Sequence, residues 1–220
     1  MAAKASRTPL SRERVLGAAV AIADAEGLKA LTMRRLAADL EVEAMSLYYH
    51  LPAKEALLDG VVETVLAEIC VAVAGVEAGD WRERLREQFL TARRIMLRHP
   101  WAPGLLTTRS AVPPVVYAYY DSIVGTLVGA GFSYRLAHRA LHAFGSMTLG
   151  FAQEIFAPGD AEAEEEEDLA AMAEAMPHLT AMLASEIHAA DDPTLGWCDS
   201  QVEFEFTLDL LLDGLERLRG

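Results

Sequence analysis

"LTMRRLAADLEVEAMSLYYHLPAKEALL", residues 31–58, decides how the rest of the chain is understood. It reads as two short helices joined by a tight corner. Thr32 is a suitable N-cap, and Met33, Leu36, Ala37 and Leu40 follow at helical spacing. After Val42, a second helix over 44–50 carries small and aromatic residues where a surface helix usually carries charge. Leu36, Ala37 and Leu40 are expected to pack inward, Val42 to plug the corner and Leu47 to lie beneath the second helix. Glu43, Ala44, Ser46, Tyr48, Tyr49 and His50 then face outward. Such a pair makes a helix-turn-helix when the outer face fits the major groove. Small residues let the helix sink, Ser46 and Tyr48 can donate to phosphates or base edges, and Tyr and Ala surfaces suit a thymine methyl. Arg34 and Lys54 stand on either side as phosphate contacts. The pattern alone also fits two ordinary packed helices with tyrosines in a core.

Working outward, the whole chain has 220 residues, of which 52% are apolar. That suffices for one large or two small domains with a real core and excludes a disordered chain. No apolar run is long enough to span a bilayer. The first residues, "MAAKASRTPLSRERV", lack the apolar stretch of a secretory signal,. Cys70 and Cys198 form neither a disulfide framework nor a metal pattern, so a reducing cytoplasm is expected. The net charge of −14 is unevenly spread. Residues 1–60 hold eight basic and eight acidic side chains, and residues 61–220 hold 11 and 25. Lys4, Arg7, Arg12 and Arg14 oppose Glu13 alone at the front of the chain, so that end can approach a polyanion.

Nearly everything else reads as helix. Ser11 caps a helix whose stripe is Val15, Leu16, Ala19, Ile22 and Ala23, and Gly27 stops it. Pro52 fits the start of a long helix reaching about residue 74. A charged amphipathic helix covers 81–99 and ends at Pro100. "HPWAPGLL" reads as an irregular turn. Two apolar helices, 113–129 and 133–156, are separated by "GAGFS", and "APGDAEAEEEEDL", 157–169, reads as an acidic connector,. Weaker helices are expected over 169–176 and 177–189, and a long one over 199–219. No strand signal or repeat appears. The expected fold is all-α: a helix-turn-helix DNA-binding domain over 1–57 and an all-helical ligand-binding and dimerisation domain over 58–220. The helix after Pro52 belongs to both.

The residues "SLYYH", Lys54, Leu57 and Leu58 resemble the DNA-binding domain of the tetracycline-repressor (TetR) family of bacterial transcription regulators. "RHPWAPGLLTTR", "GAGFS", "LGFAQE" and "FEFTLDLLLDGLERL" are similar to the C-terminal domain of that family. The resemblance implies base-edge contacts from Arg34, Ala44, Met45 and Ser46, and phosphate contacts from Tyr48, Tyr49, His50 and Lys54. At the corner the family usually has Gly, and here stands Glu41. A positive φ there would cost Glu roughly 1 kcal/mol against Gly.

By the same resemblance the second domain dimerises and binds an inducer. The helices over 134–156 and 199–219 are expected at the dimer interface, in a four-helix bundle made by two chains. Candidate ligand contacts are Met96, Trp101, Leu105, Leu106, Tyr117, Tyr120, Phe144, Met147 and Phe151, with Glu154 as a polar anchor. Each of these is also a natural core residue. Tetracycline-specific members hold magnesium and drug through two histidines, and here Leu105 and Cys70 stand near those places. No metal, no cofactor and no tetracycline are therefore expected. His138 and His142 lie one turn apart, but no Glu follows the first His, so no hydrolytic zinc pattern exists and no enzyme is expected. The function expected is a ligand-responsive regulator, a repressor, that binds a palindromic DNA operator as a homodimer and is released by a small apolar or aromatic molecule. The alternative is a helical small-molecule carrier or scaffold whose helix-turn-helix serves protein contacts.

Overall fold

The computed structural model describes residues 9–76, 79–109, 112–151, 174–186 and 200–219. All regular structure among them is helical. Ser11 Oγ accepts from Arg14 N at 3.2 Å and opens α1, Arg12–Glu26, which ends at Gly27 with φ 78°. Thr32 Oγ1 accepts from Arg35 N at 3.1 Å and opens α2, Met33–Asp39. These two caps satisfy amide donors that a helix start leaves orphaned. Helix α3 is Ala44–His50 and α4 is Lys54–Ala74. The long helix expected after Pro52 begins at Lys54, with Ala53 extended at its cap.

The corner between α2 and α3 keeps the geometry that glycine normally serves. Glu41 has φ 55°, Glu41 N donates to Ala38 O at 3.2 Å, and Val42 N donates to Ala37 O at 3.0 Å. This paired closure is a Schellman motif, with glutamate in the left-handed position. Val42 is half-buried against the adjoining core, as expected of a plug.

Helices α1 to α4 close over one core that includes Leu16, Ile22, Leu31, Leu36, Leu47, Leu51, Leu57 and Val61. Helix α4 then continues into a second core, where Val65, Ile69 and Val73 meet Ala92 and Ile95 of α5, Trp81–Arg98. One helix thus serves both cores, because its apolar positions run its full length.

The stretch expected as an irregular turn contains a helix, α6, Ala102–Thr107. Proline in its first turn, Pro103, needs no donor there, and Ala102 N closes on His99 O at 2.8 Å,. Helix α7 is Pro114–Gly129, and α8 is Tyr134–Gly150. Two further helices are α9, Pro177–Glu186, and α10, Ser200–Leu218. The end of the expected 133–156 helix, the acidic connector, Lys4, Arg7, Glu154 and Cys198 lie outside the described residues.

The chain divides into two compact units, Met1–Leu141 and His142–Gly220, with the division inside α8. In the second unit Phe204, Leu208, Leu212 and Leu215 form the buried stripe of α10. Phe151 and Phe204 meet edge to face at 5.5 Å,.

Candidate functional site

Leu47 is the buried anchor of α3, and Leu51 behind it is buried too. With those two fixed, helical geometry turns Met45, Ser46, Tyr48 and Tyr49 outward,. Tyr49 is 89% exposed and Met45 is 76% exposed. Large apolar groups exposed together on a helix of seven residues make this face a candidate binding surface,. Tyr49 and His50 meet edge to face at 5.3 Å, which holds the aromatic end of the helix together. Ala44 and His50 are half-buried at the two ends.

The cations around α3 divide into two kinds. Arg35 donates to Glu26 at 2.7 Å and to Asp39 at 3.4 Å, and those carboxylates hold its guanidinium even more firmly charged. Arg12 donates to Glu63 at 3.2 Å. Arg34, one residue before Arg35, is exposed, as is Lys54 at the start of α4. Arg34 and Lys54 therefore stand with Ser46, Tyr48 and Tyr49 as the side chains able to meet a phosphate or a base edge.

The candidate ligand residues fall into several places. Met96 and Leu106 line a small apolar crevice with Val62, Val65, Leu66, Ile69, Ala102 and Pro103. Its closed part, about 10 Å³ for the centre of a water molecule, admits little more than one water,. Trp101 and Leu105 pack against the core of α1 to α4 beside it. Tyr117 and Tyr120 are exposed on α7. Phe144 and Met147 are buried in the second unit, and Phe151 is half-buried there. Cys70 Sγ lies 3.5 Å from Val115 O, and burial pushes its thiol up, away from the reactive thiolate,.

Two residues of this region escape the sequence reading. Gln88 on α5 is 4% exposed, and its Oε1 is a buried acceptor with no hydrogen-bond partner among the described residues. Such an atom carries a desolvation penalty unless something donates to it. Arg109, just past α6, donates to Glu55 at 2.7 Å and Asp59 at 3.3 Å on the first turns of α4. Its charge ties the end of α6 to the helix that follows α3. No group of three metal-binding side chains occurs among the described residues, and none of their helices is long and apolar enough to cross a membrane.

Comparison with known proteins gives the following likenesses. The family model described as bacterial regulatory proteins, tetR family, matches residues 15–61. The model described as tetracyclin repressor-like, C-terminal domain, matches residues 75–219. An HTH-type transcriptional regulator of Saccharopolyspora erythraea is 36% identical over 59% of this chain and 55% of its own length. The class C tetracycline repressor protein of Escherichia coli is 34% identical over 96% of this chain and 92% of its own. The crystal structure of the Streptomyces coelicolor protein ActR in complex with (S)-DNPA is 29% identical, with a TM-score of 0.73 over 97% of this chain and 100% of that one.

Proposed function

The chain belongs to the TetR family of bacterial regulatory proteins, and from that membership we propose that it is a cytoplasmic, homodimeric repressor released from a palindromic operator by a small apolar or aromatic molecule. Residues 1–57 form the DNA-binding head and residues 58–220 the ligand-binding and dimerisation part. Arg34, Ala44, Met45 and Ser46 read base edges. Tyr48, Tyr49, His50 and Lys54 hold phosphates. The exposed, apolar outer face of α3 between Arg34 and Lys54 carries this reading.

Dimerisation rests on α10, with α8 as its companion. Val202, Phe206 and Leu210 recur every four residues along α10 and are exposed, while Phe204, Leu208 and Leu212 are buried. A helix apolar on both sides calls for a second cover. A twofold pairing sets two α3 helices about 34–36 Å apart, one turn of DNA.

Ligand response rests on α6. Leu105 is buried in the head core, and its neighbour Leu106 lines the crevice with Met96. A molecule that widens the crevice must move α6, and so disturbs Leu105, Arg109 and α4. Only a ligand that binds the two poses differently shifts the balance. Leu105 and Cys70, near the places of the two histidines, argue against tetracycline with magnesium, although relatives include tetracycline repressors. The relative solved with (S)-DNPA supports a small organic inducer. Gln88 Oε1 on α5 is the polar anchor proposed for it within the first unit.

Selection of bound duplexes from random DNA tests the reading. A symmetric site with half-sites one turn apart is expected, and recovery of no preferred sequence would overturn it in favour of a helical carrier.

A further inference from the structure

One cluster of polar side chains, centred on a buried imidazole, lies beside the crevice and away from the recognition helix. His99 caps the end of α5, where its backbone N donates to Met96 O at 3.0 Å, and its carbonyl receives Ala102 N of α6 at 2.8 Å. The ring is therefore fixed at the joint between two helices. Its side chain is only 8% exposed, yet each ring nitrogen faces a carboxylate. Nδ1 lies 2.8 Å from Asp24 Oδ1 on α1, and Nε2 lies 3.2 Å from Glu68 Oε2 on α4. Trp101 Nε1 donates to the same Asp24 oxygen at 2.7 Å, and Arg98 Nη2 donates to Glu68 Oε1 at 2.5 Å. The rings of His99 and Trp101 meet at 6.0 Å. The charged groups around the imidazole are thus Asp24 from α1, Glu68 from α4 and, through Glu68, Arg98 from α5.

We propose that His99 is a positioning residue for DNA binding: as an imidazolium it ties α1 of the head and the shared helix α4 to the α5–α6 joint, and loss of one ring proton releases α4. The argument is one of donors. A neutral imidazole has a single N–H and satisfies a single carboxylate, so the two contacts together need both ring protons. The shorter contact, to Asp24, keeps its proton, and the longer one, to Glu68, is the one lost. The doubly protonated ring is the one form that donates to both carboxylates, so the tie depends on proton activity. Of its three attachment points, Asp24 lies inside the residues matched by the DNA-binding family model, and Glu68 and His99 lie outside them. The joint is thus one route, beside Leu105 in the head core, by which a movement at α6 reaches α1.

The proposal rests on the reading that α1 to α3 bind DNA, and its test separates the two. In full-length protein labelled with 15N, the Trp101 indole resonance is followed from about pH 5.5 to about pH 8.5, with Trp101→Phe for assignment. The resonance is expected to titrate in the wild type and to stay flat in His99→Gln, which keeps one hydrogen bond without a titrating ring. Operator affinity is then measured for both proteins across the same range. The ratio of the two affinities is expected to change about fivefold or more, while His50, common to both, cancels. Should His99→Gln fail to fold, Glu68→Gln serves, since it removes the charge that holds the second ring proton. A flat Trp101 resonance in the wild type overturns the tie. A titrating resonance with a constant affinity ratio overturns the positioning role. Absence of any DNA binding overturns the underlying reading and leaves the Trp101 result to decide the tie.

Discussion

A β-carbon on Gly60 would lie 2.6 Å from Cδ2 of Leu16. The Leu16 side chain of α1 therefore fills the space that a side chain at position 60 of α4 would take, and Leu16 is itself buried in the head core. Gly60→Ala is expected to force the two helices apart and to cost about 1–3 kcal/mol, as overpacking does. Urea unfolding followed by circular dichroism checks this. A variant as stable as the wild type would mean that Leu16 has room to turn away.

The strained corner offers the opposite test. Glu41 at φ 55° occupies a position that L side chains resist,. Glu41→Gly relieves the strain but frees the unfolded chain, so a net gain of about 0.5–1 kcal/mol is expected. Thermal unfolding reads it, and a loss of stability would show that the Glu41 side chain holds the corner through its own contacts.

The DNA contacts separate by kind. Tyr48→Phe removes the hydroxyl proposed to donate to a phosphate and is expected to weaken all duplexes alike, by about 0.5–1.5 kcal/mol. Ser46→Ala is expected to change the preference among sequences. Raising salt should lower affinity with a clearly negative log–log slope, and Lys54→Ala should make that slope shallower by about one. Anisotropy titrations at several salt concentrations measure both. An unchanged slope in Lys54→Ala would remove that residue from the interface.

How much of this was readable in advance follows from the kind of signal each part carries. The head was legible because α1 and α2 announce themselves by caps and spacing, and Leu47, Tyr48, Tyr49 and His50 form a dense local pattern. Helix α6 was not, since proline and glycine in "HPWAPGLL" suggest a turn. The contact of Leu105 with the head core favours a helix there. Tyr117 and Tyr120 are exposed on α7, and a helix apolar nearly all round gives no period in sequence from which to choose a face,. Gln88 sits on a charged helix and looks like a solvent residue in sequence. Its burial comes from tertiary packing alone.

Gln88 can be tested on stability and on ligand binding together. Gln88→Leu removes a buried unpaired acceptor and is expected to leave the free protein as stable or about 1 kcal/mol more stable. If Gln88 anchors the inducer, the same change should weaken the thermal stabilisation that an inducer provides. Differential scanning fluorimetry over a library of small aromatic molecules gives both readings. Equal stabilisation of both proteins by a binding molecule would remove Gln88 from the ligand site.

The central claim is that a ligand beside α6 releases the head from DNA. Its most direct measurement is operator affinity, by fluorescence anisotropy, with and without a small aromatic molecule that raises the melting temperature. The account predicts a fall in affinity of about 5–150-fold, a coupling of about 1–3 kcal/mol, with DNA weakening that molecule's binding by the same factor. A molecule bound tightly at the α4–α6 crevice that leaves operator affinity unchanged would contradict it.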